Sequence, residues 1–388
     1  MKICFAICEY NPFHNGHLKH LEYIKQNLGA DAIAVILSGN FTERGDIALL
    51  DKYTRATHAI KAGADIVLEL PTVFATSNAE IFAKGAIKLI NAVVCEKALC
   101  FGTESEDISE IYLACDLVEN ETNEFKTELI KQLKSGVSFV KARATTIENV
   151  NGVNSSVLST PNNILAIEYV KAIKQSGQNI EVYSLKRQGG AFNDNKLNGQ
   201  ISSALAIRTA IENGNIESVK QAVPNFVFND LPNSLPNVDG LVLYSVLNAE
   251  KEFLKGVQDC TEGLENAVKK HAKTALTFNE LVKKIKCKRY TETRIKRILI
   301  NCLLGVNKAL INECFGNDLY FKVLAINKNR LDLLKVLSHS AYPLITRKSD
   351  EQKLSETALK CFKIDCYANS VYQIATKTKL NDYDMKKV

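Results

Sequence analysis

Residues 7–20, Ile-Cys-Glu-Tyr-Asn-Pro-Phe-His-Asn-Gly-His-Leu-Lys-His, constrain this chain more than any other stretch. They follow the apolar run Lys2–Ile7, which reads as a buried parallel strand. They lead into Leu18, Leu21, Ile24 and Leu28, spaced for one face of a helix, with Gly29 as its stop. The motif therefore occupies a strand-to-helix turn. In an open α/β sheet, ligands bind beyond the carboxyl ends of the strands, and a helix N-terminus offers free N–H groups and a positive dipole to an anion.

Within that turn Pro12 restricts the backbone, Gly16 admits a bulky group, and His14 and His17 stand three residues apart, facing one ligand. Two imidazoles beside a helix N-terminus can donate hydrogen bonds to phosphate oxygens and stabilise the charge that develops in nucleotidyl transfer. The same residue types also serve as helix caps or as half of a zinc site, but no Cys or carboxylate cluster nearby completes a tetrahedral set. No metal ligands are assigned.

Helical and strand-like segments then alternate. Asp31–Leu37 reads as a second buried strand, delivering Ser38-Gly39-Asn40-Phe41 to the same edge of the sheet. Asn40 and Arg44 join His14 and His17 as candidate catalytic residues, and Lys52 and Arg55 join Arg44 as candidate phosphate contacts. Ala64–Pro71 and Ala98–Glu104 are a third and fourth strand, and Gln178–Leu185 another, so the pattern predicts a doubly wound parallel sheet with right-handed crossovers. Gly102, at a strand end, permits close approach to the backbone, and Lys186-Arg187-Gln188-Gly189-Gly190 is a basic glycine turn able to clamp an anion. Thr145–Thr160 reads as a long mobile loop, with Pro161 opening the next helix. Ser202, Ser203 and Arg208 place hydroxyls and a guanidinium at another helix start.

Three of the chain's seven prolines fall between Val223 and Gly240, which marks a boundary. The division is residues 1–222 for the α/β unit, 223–240 for a Pro-rich linker, and 241–388 for a mainly helical second domain. A length of 388 residues accommodates two such cores. The formal net charge is only +6, but between Val268 and Leu310 twelve basic residues face two acidic ones, a local excess of +10. Lys283, Lys284, Lys286, Lys288, Arg289, Arg294, Lys296 and Arg297 carry most of it, interleaved with Ile285, Tyr290, Ile295, Ile298 and Leu299. Such a segment packs one face and offers the other to a polyanion. Eleven cysteines, an odd number with no CxxC, fit reduced structural thiols. No run of 18 apolar residues and no signal-peptide pattern occurs, so a cytoplasmic location without membrane association is expected.

Taken together, the motifs resemble one family, the bacterial tRNA(Met) cytidine acetate ligases of the HxGH nucleotidyltransferase superfamily. The matching residues are Glu9-Tyr10-Asn11-Pro12-Phe13-His14-Asn15-Gly16-His17, Ser38–Phe41 with Arg44-Gly45, Glu69-Leu70-Pro71 and Phe101-Gly102. Pro161–Leu165 with Glu168-Tyr169, Lys186-Arg187, and Arg289–Thr291 with Thr293-Arg294 continue the series in order. The resemblance implies a nucleotidyltransferase (Rossmann-like) fold and a two-step reaction. Acetate attacks ATP to give acetyl-adenylate and pyrophosphate, and N4 of the wobble cytidine of elongator tRNA(Met) then takes the acetyl group.

It also implies ATP contacts from Ile7, Cys8, Glu9, Tyr10, Asn11, Pro12, Phe13, His14, Asn15, Gly16, His17, Leu18, Lys19 and His20, and from Gly102, Asn162 and Arg187, with Ser203 and Arg208 beside them. The basic segment is then expected to bind tRNA rather than DNA, and Mg2+ is expected to accompany ATP. One departure is that Leu205 and Ala206 precede Ile207-Arg208, where the superfamily usually carries a hydroxyl. The alternatives are a small-molecule adenylyltransferase acting on a phosphorylated metabolite, disfavoured by the basic second domain, and an RNA-binding protein with a retired ATP site.

Overall fold

The computed structural model describes residues 1–120, 122–137, 139–151, 156–187, 197 and 199–388. Five strands form the parallel part of the sheet: β1 (Lys2–Cys8), β2 (Ala32–Ser38), β3 (Ile66–Leu70), β4 (Glu96–Thr103) and β5 (Ile180–Lys186). Their spatial order is β5-β4-β1-β2-β3, all parallel. The order reverses between β1 and β4, the switch point at which a crevice opens at the carboxyl ends of the strands. The motif at 7–20 leaves β1 there, and Gly102 ends β4.

Every residue of β2 and β3 is buried, as continuous apolar strands covered on both faces require. Successive side chains divide between two cores. Ile3, Phe5, Ala34, Ile36 and Leu68 face one, and Cys4, Ala6, Ile33, Val35, Leu37 and Val67 face the other. The helices α1 (Asn15–Asn27) and α2 (Lys52–Lys61) cover the second face through Leu21, Ile24, Tyr53, Ala56 and Ala59. The helices Ala79–Ala92 and Pro161–Ser176 cover the first.

Three further strands, β6 (Phe321–Ile326), β7 (Leu344–Ile345) and β8 (Lys386–Lys387), come from the residues expected to form the helical second domain. β6 pairs antiparallel with β3 and parallel with β7 and β8. The C-terminal residues therefore extend the first sheet, in addition to supplying helices such as Asp239–Asn248, Phe278–Ile285 and Glu292–Leu304. Among the described residues no single helix is long and apolar enough to cross a membrane.

The stretch expected as a long loop is largely helical where it is described. Phe139–Asn151 and Ser156–Ser159 are helices, and Ala142, Ala144, Thr146 and Ile147 are buried. Burial of that stripe outweighs the weak intrinsic helix propensity of the Asn and Thr residues around it. Residues 188–190 of the basic glycine turn lie outside the described residues.

Candidate active site

A cavity of about 440 Å³ opens at the switch point. Its lining includes Ile7, Cys8, Glu9, Tyr10, Asn11, His14, Gly16, His17, Lys19 and His20, together with Arg44, Gly102, Asn162, Arg187, Ser203 and Arg208. Most residues singled out from the sequence thus converge on one space, although they span about half the chain.

The two histidines are fixed by a reciprocal cap on α1. Nδ1 of His14 accepts the Gly16 N–H at 3.1 Å, and Nδ1 of His17 accepts the His14 N–H at 3.2 Å. The rings stack with centroids 3.6 Å apart. A Cβ on Gly16 would stand 2.9 Å from Cε1 of His14, so glycine at this position leaves room for the ring. With each Nδ1 accepting, the neutral tautomer carries its proton on Nε2. Burial, reinforced by Arg187, pushes His14 down to about 3. Burial also lowers His17 well below its ordinary value, with His14, Arg187 and His20 adding to it, and brings His20 down to about 4. At neutral pH the unliganded site therefore presents neutral N–H donors at the start of a helix, a suitable arrangement for phosphate oxygens.

A second helix start faces the same space. The Ser203 hydroxyl caps the helix Ala204–Glu212 by accepting from the Ala206 N–H at 3.0 Å, and Arg208 one turn on donates to the Asn11 carbonyl at 2.6 Å. Leu205 lines the cavity where a hydroxyl was expected to be missing. Tyr10 holds φ at +48°, a conformation uncommon for a residue with a side chain, and its ring packs 4.7 Å from that of His17.

Several expected contacts have other roles. Pro12, Phe13, Asn15 and Leu18 are absent from the lining. Phe13 is fully buried beside Tyr10, and the Asn15 amide donates to the carbonyls of Gln200 and Gln221, tying α1 to the approach of the Ser203-capped helix. Asn40 also lies outside the lining, because its side chain donates to Asn369 and accepts from the Lys52 N–H, both at 2.8 Å. Lys52 is committed to Glu69 in a buried ion pair at 2.7 Å. The Arg55 guanidinium donates to the carbonyls of Leu50, Glu9, Ser38 and Gly39, clasping the ends of β1 and β2. The ends of buried strands leave carbonyls that need donors, and Arg55 supplies them.

Sequence reasoning missed part of the lining: Thr42, Glu43, Phe82, Leu165, Tyr169 and Leu185 line the cavity without having been assigned to it. For Tyr169 the signal was its place one residue past Glu168, which turns away to pair with Lys171 at 3.2 Å.

The basic segment divides in two. Lys283, Lys284, Lys286, Lys288 and Arg289 are exposed. Arg294 donates to the Asp259 carbonyl, Lys296 pairs with Asp46 at 3.2 Å, and Arg297 pairs with Glu43 at 3.0 Å and Asp259 at 3.5 Å. The last three hold the Glu292–Leu304 helix against neighbouring loops. Among the described residues no group of three His, Cys, Asp or Glu side chains is arranged to hold a metal ion.

Comparison with known proteins agrees with this geometry. The model of the HIGH Nucleotidyl Transferase family matches residues 1–387. A tRNA(Met) cytidine acetate ligase of Thermoanaerobacter sp. (strain X514) is 37% identical over 390 residues, 97% of this chain and 96% of that protein. One from Clostridium perfringens (strain ATCC 13124) is 36% identical over 399 residues, 99% and 98% of the two chains. The crystal structure of Thermotoga maritima TmcAL without ligand superposes with a TM-score of 0.91 at 27% identity, covering both chains fully. The same protein bound with alpha-thio ATP gives 0.88, again at 27% identity and full coverage. With a nucleotidyltransferase sheet, paired histidines at its switch point and relatives matched from end to end, the chain belongs to the tRNA(Met) cytidine acetate ligase family of HIGH nucleotidyl transferases.

Proposed function

We propose that this protein activates acetate with ATP and transfers the acetyl group to N4 of the wobble cytidine of elongator tRNA(Met). The observation that carries the reading is the pair of neutral, stacked histidines whose Nε2–H groups stand at the N-terminus of α1, inside a cavity shared with Arg44, Arg187, Ser203 and Arg208. In the first step a carboxylate oxygen bonds to the α-phosphorus and the bond to the bridging oxygen of pyrophosphate breaks. The leaving group gains charge, and fixed N–H donors and guanidinium groups beside it lower the barrier, because orientation and charge stabilisation dominate such transfers.

His14 and His17 are assigned to the phosphates, and Gly102, Asn162 and Arg187 to the nucleotide. Arg44 is retained as a catalytic candidate, and Asn40 is reassigned to holding the chain together. The exposed residues Lys283, Lys284, Lys286, Lys288 and Arg289 are assigned to tRNA phosphates, with a steep dependence of binding on salt. Mg2+ carried on the ATP phosphates is proposed to accompany the nucleotide, and no step is assigned to it. We place the reaction in the cytoplasm, where its tRNA substrate resides.

The test is acetate-dependent release of pyrophosphate from ATP by the purified protein and by His17→Ala. Release by the wild type that is abolished in the variant, with its circular dichroism unchanged, is expected. Equal release by both removes His17 from the phosphate site. Turnover that ignores acetate and needs a phosphorylated metabolite restores the small-molecule adenylyltransferase alternative.

A further inference from the structure

Part of the cavity lining differs in chemistry from the histidine pair. Glu9, just past the end of β1, and Glu43, on the loop after β2, stand together in the lining, with Tyr169 close to both, and Phe82 lines the same cavity. Oε1 of Glu9 accepts the Glu43 N–H at 2.7 Å, and its other oxygen has no hydrogen-bond partner among the described residues. The neutral histidine N–H donors and the start of α1 suit phosphate oxygens, so a polyphosphate belongs at that end. A carboxylate is instead the complement of an exocyclic amine, and aromatic side chains accept the face of an unstacked base.

This wall is also where the cavity meets the basic segment. Glu43 is bonded to Arg297, and Gly45, at φ +73°, packs so closely on the Glu292–Leu304 helix that a Cβ would lie 2.4 Å from the Arg297 nitrogen. Lys286 pairs with Glu292 at 3.0 Å, and Lys296 joins Glu292 to Asp46 at 3.2 Å each, so RNA lying along Lys283–Arg289 would present a nucleotide to the loop that carries Glu43.

We infer that this end of the cavity is a cytosine subsite, in which the base lies against Tyr169 and Phe82, its N4 amine donates to Glu9, and Glu9 accepts the proton that acetyl transfer releases. The inference rests on the acetyl-transfer reading given above. In the step, the N4 lone pair bonds to the acetyl carbonyl carbon and the bond from that carbon to the adenylate oxygen breaks. AMP departs with the electron pair, and the N4 proton passes to the free oxygen of Glu9. A base is needed because the lone pair of an aromatic amine is delocalised into the ring. Burial pushes the Glu9 carboxyl up to about 7, with Glu43 adding to the rise and the Glu43 N–H, Arg44 and Arg208 opposing it. Cys8, Arg55 and Tyr169 are the remaining titratable groups that face it. Glu9 is thereby reassigned from the nucleotide contacts to the acceptor base.

The experiment supplies chemically prepared acetyl-adenylate and tRNA(Met) without ATP, and counts N4-acetylcytidine by mass spectrometry. The wild type is expected to form product at a rate that rises with pH through a midpoint near 7 and levels off above it. Glu9→Gln is expected to slow the transfer by at least about 100-fold and to abolish the inflection. Glu43→Gln, which removes the neighbouring charge, is expected to move the inflection to lower pH.

Transfer by Glu9→Gln at the wild-type rate, or loss of ATP affinity with transfer intact, overturns the assignment. If Glu9→Gln does not fold, the profiles of the wild type and Glu43→Gln decide, and transfer independent of pH between about 5.5 and 8 overturns it. Absence of product from the wild type itself refutes the acetyl-transfer reading rather than the subsite.

Discussion

A histidine that stays neutral inside a folded protein gives stability that acid removes, and His14 allows the size of that effect to be worked out. Its ordinary value of 6.5 is pushed down to about 3 by burial and by Arg187. Below 6.5 the unfolded chain takes up a proton that the folded chain refuses, so folding is favoured above that value and weakened as pH falls. Between about pH 7.5 and 5, this one ring accounts for a loss of about 2 kcal/mol, at 1.36 kcal/mol per pH unit of unmatched protonation. Two carboxyls work the other way. Burial and nearby carboxylates raise Glu9 and Asp365 to about 7, so the folded state holds their protons more tightly and gains stability over much of the same acid range.

The total curve therefore conceals the histidine, and the comparison must be with a variant. His14→Asn keeps a side chain suited to capping α1 and removes the titration. Urea unfolding of the ligand-free protein at several pH values should show the wild type losing about 2 kcal/mol more than His14→Asn from pH 7.5 to 5. Parallel curves for the two proteins would refute the claim that the ring is buried and neutral.

Three other outcomes follow from the same structure. Lys52→Met leaves the buried Glu69 carboxylate unpaired and should cost about 3–5 kcal/mol in denaturant unfolding, with Lys52→Met/Glu69→Gln recovering much of it. Reversing charge at Lys286, Lys288 and Arg289 together should weaken tRNA binding and flatten its salt dependence while ATP affinity, read by calorimetry, is unchanged. Gly45→Ala, which forces a Cβ into the backbone of Lys296 and Arg297, should destabilise the protein by at least about 1–2 kcal/mol in the same unfolding assay.

Local pattern made the histidine end of the cavity legible. The strand, the turn and the apolar spacing of α1 lie within one short segment, and Asn11, His14, Gly16 and His17 all reach the cavity it predicts. What remained illegible depended on contacts between distant residues. Nothing local to Asn40, Lys52 or Arg55 distinguishes a ligand contact from an internal bond; Asn369, Glu69 and the carbonyls at the ends of β1 and β2, which are their partners, decide it. β6 lies in a region expected to be mainly helical, and only its pairing with β3 reveals that it extends the sheet. Arg294, Lys296 and Arg297 carry the same charge as their exposed neighbours, but partners outside their own segment hold them to the protein. Glu43, Phe82 and Tyr169 belong to three separate elements, so their common wall exists only in the folded chain.

The central claim is that this one chain joins acetate to the wobble cytidine at the expense of ATP. It is tested most directly by incubating the purified protein with ATP, isotopically labelled acetate and unmodified elongator tRNA(Met), omitting each in turn, and analysing the digested tRNA by mass spectrometry. Labelled N4-acetylcytidine at the wobble position, present only when all three are supplied, is the predicted result. Modified nucleoside that forms without ATP, or its absence from the complete mixture while the protein remains folded, would contradict the account.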